Sequence, residues 1–153
     1  QGWVPVHASG SLAQLSTYAS ITAKLFKNKQ CEFKANDVEI SWLIMAWPGK
    51  CVVLEPMFMW PAPLLPAHKY AGAIFDEISM DWTKGSLART ELVAQYRAEL
   101  VSEFDAVGAL HVQLGKSYPY RTRLAEPVSD LVGAIKTHLD PAHLASPDNL
   151  GFR

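Results

Sequence analysis

The chain has 153 residues, 49% of them hydrophobic and 19% charged, with a formal net charge of −1. That length and apolar content suit one globular domain with a real core and exclude a disordered segment. The weak charge argues against a nucleic-acid binder, which needs a strong basic bias. The longest apolar run, Trp42 to Trp47, is far too short to span a bilayer.

In chain order, Ser9 or Ser11 is placed to cap a first helix, in which Leu12, Leu15, Tyr18, Thr22 and Leu25 recur at helical spacing and Lys24 and Lys27 lie near the end. Val38 to Trp47 is β-branched, aromatic and apolar on both faces, which predicts a covered strand. Pro48-Gly49-Lys50 is a turn signal, and Cys51 to Trp60 reads as a second strand closing an antiparallel hairpin. Pro61, Pro63 and Pro66 interrupt regular structure, with a short helix expected between Ala67 and Ser79. Ser86 is placed to cap a helix whose Leu92, Tyr96, Leu100 and Phe104 step by four, with Glu91, Gln95, Glu99 and Glu103 mostly off that stripe. Val107 to Leu114 is expected as a third strand in the same sheet, with His111 and Gln113 on one face. Pro127 starts the last helix, with Val128, Leu131, Ile135 and Leu139 facing inward, and Pro141 blocks its continuation. The order of elements predicts an α+β fold: a small antiparallel sheet with helices on one face.

Chemistry concentrates near the end. Between Asp105 and Glu126 no acidic residue occurs, while Lys116, Arg121 and Arg123 share that stretch with Tyr118 and Tyr120. Cations, planar donors and phenol hydroxyls together suit an anionic or phenolic small molecule. Cys31 and Cys51 form no CxxC pair and read as reduced thiols of a cytoplasmic protein. His138 and His143 have no carboxylate or Cys at metal-ligand spacing, so no metal is expected. No Gly-x-Gly cluster stands between a strand and a helix.

Tyr120-Arg121-Thr122, Leu139-Asp140-Pro141 and Pro147-Asp148-Asn149-Leu150-Gly151 resemble the C-terminal end of FAD-linked oxidases of the vanillyl-alcohol oxidase/p-cresol methylhydroxylase superfamily. The stretch from Val53 to Pro61, VLEPMFMWP, is similar to a cap-domain strand in bacterial members of that group. The two segments cover less than half of the chain. The resemblance implies a ferredoxin-like cap domain, residues 1–153, from the C-terminal part of a longer enzyme. The free face of its sheet would roof a flavin ring. The enzyme would pass hydride from a hydroxylated small molecule, a phenolic alcohol or a 2-hydroxy acid, to FAD. That FAD would be held mainly by an N-terminal domain of the same protein and is not expected on this chain alone. Besides that domain and the substrate, a homo-oligomer is allowed as an assembly, and no nucleic acid is expected as a partner.

The resemblance further implies that Tyr120 and Arg121 form the catalytic pair that holds substrate oxygen as an anion. Tyr118, His111, Gln113 and Lys116 would contribute to substrate binding. Pro119 and Tyr118 make the loop Tyr-Pro-Tyr, so a carboxylate remains as open as a phenolate. The ordinary readings stand beside these: an exposed Arg in a surface loop, and a polar strand face for His111 and Gln113. Glu55, inside an apolar strand, needs a partner such as Arg121 or Lys116, could act as a base, or is a structural, ion-paired residue. His68 and Tyr70 are weaker candidates for covalent flavin attachment. Trp42, Trp47 and Trp60 read as sheet core or as the flavin-facing side. The alternative to an oxidoreductase domain is a free-standing α+β binding or dimerisation module without catalytic activity.

Overall fold

The computed structural model describes residues 2–49, 51–63, 65, 85–113 and 115–152. The short helix expected between Ala67 and Ser79, with His68 and Tyr70, lies outside them. The chain divides into two compact units, Gln1–Leu110 and His111–Arg153.

The first unit is α+β. Its strands are β1 (Gly2–Pro5), β2 (Ala8–Gly10), β3 (Glu39–Trp47) and β4 (Cys51–Trp60), and its helices are α1 (Leu15–Ala35) and α2 (Leu87–Ala106). β4 is central, with β3 antiparallel on one side and β1 and β2, end to end, antiparallel on the other. Leu110, beyond α2, bridges Ser9 in the antiparallel sense. The order strand, helix, strand, strand, helix, bridge is that of a ferredoxin-like fold. The β3–β4 hairpin closes from Trp47 opposite Cys51, with Gly49 at φ 65°, a conformation that favours glycine.

Side chains alternate across β4, so Leu54, Pro56, Phe58 and Trp60 share one face. That face receives both helices. Phe58 meets Phe26 and Phe33 of α1 at centroid distances of 5.9 and 6.2 Å, and Phe33 meets Tyr96 of α2 at 4.8 Å. Tyr18 packs edge-on against Phe104 at 5.8 Å. Trp60 donates Nε1–H to Thr90 Oγ1 at 3.0 Å, which ties β4 to α2. Gly2 is required opposite Trp60: a Cβ there would fall 2.4 Å from the indole.

Several expectations change. α1 runs on to Ala35, so Lys24 and Lys27 are mid-helix. Nothing in Lys27 to Lys34 breaks a helix, and the aromatic contacts of Phe26 and Phe33 hold those turns to the sheet. The helical segment is entered from Ser11, whose N–H is accepted by Gln14 Oε1 at 2.9 Å, while Ser9 belongs to β2. Leu12 is exposed because it lies in the 3₁₀ turn before α1. Among the described residues β3 is an edge and not a covered strand, with Trp42, Leu43, Ile44 and Trp47 all exposed. Its apolar run resembles a buried strand in composition, but only β4 pairs with it among the described residues.

Among the described residues of the third strand expected from Val107 to Leu114, no strand forms and Leu110 alone pairs. α2 ends in a tight turn, with Gly108 at φ 75° and Ala109 N–H returning to Phe104 O at 3.0 Å. That helix stop consumes the residues that would have begun the strand. Leu110 and Val112 are consequently exposed rather than core.

The second unit holds α3 (Glu126–Leu139), with Pro127 in its first turn as expected. Its stripe of Val128, Leu131, Ile135 and Leu139 does not face inward; all four are exposed. The helix turns a narrower side inward, where a Cβ on Gly133 would lie 3.7 Å from the buried Phe152 ring. Beyond α3, Asp140 ends the helix: Lys136 donates to its Oδ2, and Leu144 N–H and Ala145 N–H donate to its two oxygens at 2.8 and 3.1 Å. These bonds, with Lys136 first, hold the Asp140 carboxyl below the usual carboxylate range. No helix among the described residues is long and apolar enough to cross a membrane.

Candidate functional site

The loop after Leu110 brings some of the expected residues together and separates others. His111 and Tyr118 form a stacked pair, with centroids 4.5 Å apart and an interplanar angle of 27°. Tyr118 is buried and His111 half-buried. Alternation along a strand would aim His111 and Gln113 the same way, but residues 111–113 are not in a strand. Gln113 and Lys116 are exposed.

Tyr120 and Arg121 stand at a tight corner. Tyr120 N–H donates to Tyr118 O at 2.8 Å, and Arg121 opens a 3₁₀ turn, Arg121–Arg123. The Tyr118 to Tyr120 bond skips Pro119, which has no N–H and fixes its own φ. Tyr120 is half-buried and Arg121 exposed. The guanidinium lies over the Phe152 ring, with Cζ 5.0 Å from the centroid, and Nη1 donates to Gly151 O at 3.4 Å. A cation over an aromatic face is attracted by the ring quadrupole.

The chain's last turn delivers those partners. Ser146, Asp148, Leu150 and Gly151 all adopt positive φ, and Leu150 N–H reaches Gly115 O at 3.2 Å. Left-handed backbone at a leucine is costly, of order 1–3 kcal/mol, and persists only where surrounding contacts impose it. Here it carries the Leu-Gly-Phe end back onto the Tyr-Arg-Thr loop. Among the described residues no carboxylate forms an ion pair with Arg121. Its charge is held by a ring face and a carbonyl, which leaves it free to meet an anion.

The first unit contains a pair that reading the sequence missed. His7 Nε2 lies 3.1 Å from Glu55 Oε2, and both residues are buried. β1 and β2 keep one register against β4 through the gap between them, from Pro5 opposite Met57 to Ala8 opposite Leu54. His7 therefore faces Glu55 across the sheet, on the face opposite α1 and α2. The partner of Glu55 is His7, not Arg121 or Lys116. The signal was present in Val4-Pro5-Val6-His7-Ala8, where valines alternate with other residues at strand period; an imidazole between two valines could have been set against the lone carboxylate of β4.

Trp60 is core, Trp42 packs edge-on to Phe26 at 5.6 Å on the helix side, and Trp47 is exposed on the other face. No group of three or more metal-ligating side chains occurs among the described residues. Cys31 and Cys51 are free thiols. Comparison with protein-family models, with curated proteins and with solved structures finds no match to this chain.

Proposed function

We propose that the chain is the substrate-side, or cap, domain of an FAD-dependent oxidoreductase acting on a hydroxylated small molecule, either a phenolic alcohol or a 2-hydroxy acid. The observation that carries this reading is Arg121. It is a cation in an acid-free segment, oriented by Phe152 and Gly151 and not neutralised by any described carboxylate. Such a guanidinium can take a phenolate or carboxylate in its planar fork. Tyr120, its neighbour, would donate its hydroxyl to the same anion. Tyr118 and His111, stacked together, would give a flat wall beside it, and the exposed Gln113 and Lys116 would contribute polar contacts.

Exposed apolar side chains at the margins of one sheet face, around its buried centre at His7 and Glu55, would be the chain's contacts with the flavin ring. Trp3 pairs with Met59 and Trp47 with Cys51, so Trp3, Leu43 and Trp47 lie on the sheet face opposite the helices, all exposed. Bound flavin would supply a hydride acceptor. The chain's own part is to fix the substrate oxygen as an anion, which eases loss of hydride from the adjoining carbon. A pyrophosphate-binding loop would come from the FAD-binding domain of the same protein.

The test is to read the coding sequence upstream of Gln1, produce the whole protein, and measure anaerobic flavin reduction by a panel of phenolic alcohols and 2-hydroxy acids. Reduction by one class, abolished in Arg121→Ala, supports the reading. A whole protein without flavin, inert to both classes, defeats it.

A second reading, a binding or dimerisation module without chemistry, is favoured by the exposed apolar residues of β3 and α3. It predicts association without any flavin-binding region.

A further inference from the structure

The outer edge of β3 has the features of a strand-pairing site. Among the described residues β3 pairs with β4 alone, and none of them meets its outward N–H and C=O groups from Glu39 to Trp47. Proteins normally blunt such edges with short length, lysine, proline or a bulge. β3 is nine residues long, matches β4 residue for residue, and has neither charge nor proline from Ile40 to Trp47. Its side chains are exposed on both faces: Trp42 and Ile44 on the helix side at 41% and 54%, Leu43 and Trp47 on the other at 42% and 49%.

We infer that β3 pairs with β3 of a second copy, antiparallel and two-fold symmetric about Leu43, joining the two sheets into one. Among protein partners only another extended chain can pair with the whole row of backbone groups, so a helical partner is a poor match. The strand is complementary to itself. With Leu43 on the axis, Trp42 falls opposite the partner's Ile44 on one face, and the same pair recurs on the other side of the axis. Aromatic and β-branched residues directly opposite one another stabilise a sheet. Ile40 meets the partner's Ala46, Ser41 the partner's Met45, and Glu39 the partner's Trp47, so no like charges face each other. The chain's net charge of −1 adds little repulsion between copies. Covering the four exposed side chains and the backbone edge would bury about 500 Å² per copy, about 1,000 Å² in total, the lower end of specific interfaces. The dimer is accordingly weak and concentration-dependent. None of this rests on the flavin reading.

The test is sedimentation velocity of the 153-residue chain over a concentration series, beside Ile44→Lys and Leu131→Lys, with circular dichroism to check folding. Wild type should move from 16.9 kDa toward twice that mass. Ile44→Lys should weaken association by about tenfold or more, and Leu131→Lys, on the stripe of α3, should leave it unchanged. A wild type that stays monomeric throughout overturns the inference. So does an Ile44→Lys variant that dimerises normally, or a Leu131→Lys variant that does not dimerise. Should Ile44→Lys fail to fold, Leu43→Cys in a Cys31→Ser, Cys51→Ser background decides. Opposed residues in antiparallel strands lie within disulfide reach, so mild oxidation should give a 43–43 covalent dimer. Its absence overturns the pairing.

Discussion

At the scale of single residues, the proposed chemistry depends on Arg121 and the buried architecture on His7 and Glu55, and the two respond differently to mutation. Arg121 is exposed, so Arg121→Ala should change stability by no more than about 0.5 kcal/mol. In the proposed enzyme it should cost about 3 kcal/mol of transition-state stabilisation, roughly a hundredfold in kcat/KM. Lys there should rescue poorly, because an ammonium has no planar fork. Steady-state kinetics beside a thermal melt separates the two effects, and wild-type turnover by Arg121→Ala would remove it from the site. His7 and Glu55 should behave oppositely. Glu55→Ala removes the carboxylate from beside a buried imidazole and should cost about 1–3 kcal/mol. The His7→Ala, Glu55→Ala double variant should fall short of the sum of the singles by about 1 kcal/mol or more in urea denaturation. Additive losses would show that the two side chains are not coupled.

At the scale of elements, apolar periodicity marked α2 and α3 equally well, yet only α2 lies in a core. Leu100 of α2 is fully buried, and Leu100→Ala should cost about 2–5 kcal/mol, whereas Leu131→Ala on the exposed stripe of α3 should stay within about 0.5 kcal/mol. Paired chemical-denaturation curves test this contrast, and a large loss at Leu131 would mean that α3 buries its stripe in solution. The turn after α3 should also respond to acid. The carboxyl of Asp140 is held below its ordinary pKa by Lys136 and by the amides of Leu144 and Ala145. A depressed carboxylate stabilises the folded turn above the unfolded pKa, and that contribution is lost as pH falls through the lower folded value. Amide protection at Leu144 and Ala145 should therefore drop at acid pH, below the usual carboxylate range. In Asp140→Asn the protection should be low at all pH values; unchanged protection in that variant would show that the carboxylate does not hold the turn.

At the scale of the molecule, the 153-residue chain purified alone should carry no stoichiometric flavin, since the pyrophosphate-binding loop belongs to the other domain of the proposed enzyme; a one-to-one flavin absorbance band would refute that division of labour. Much of the architecture was legible in the residues themselves. β-branched and aromatic runs flanking the Pro-Gly turn specify the β3–β4 hairpin, and the four-residue steps from Leu92 to Phe104 specify α2, because these are local rules of composition, period and turn geometry. The Tyr-Arg loop was visible as an acid-free cluster, since charge patterning needs no fold to be read. Other features depend on which surfaces meet. The strand expected after α2 is replaced by a helix stop and one bridge at Leu110, because edge pairing depends on neighbours distant in sequence. β3 and α3 have apolar patterns suited to burial, but periodicity says only that a stripe exists, not whether anything covers it. His7 and Glu55 are far apart in the chain and meet only through the register of β1 and β2 on β4. Arg121 acquires its orientation from Phe152 only because four positive-φ residues reverse the tail. Local periodicity and turn chemistry were thus written in the sequence, while pairings between distant residues, and the choice of which apolar faces are covered, were decided by tertiary packing, whose energy comes from surfaces brought together only after the chain has folded.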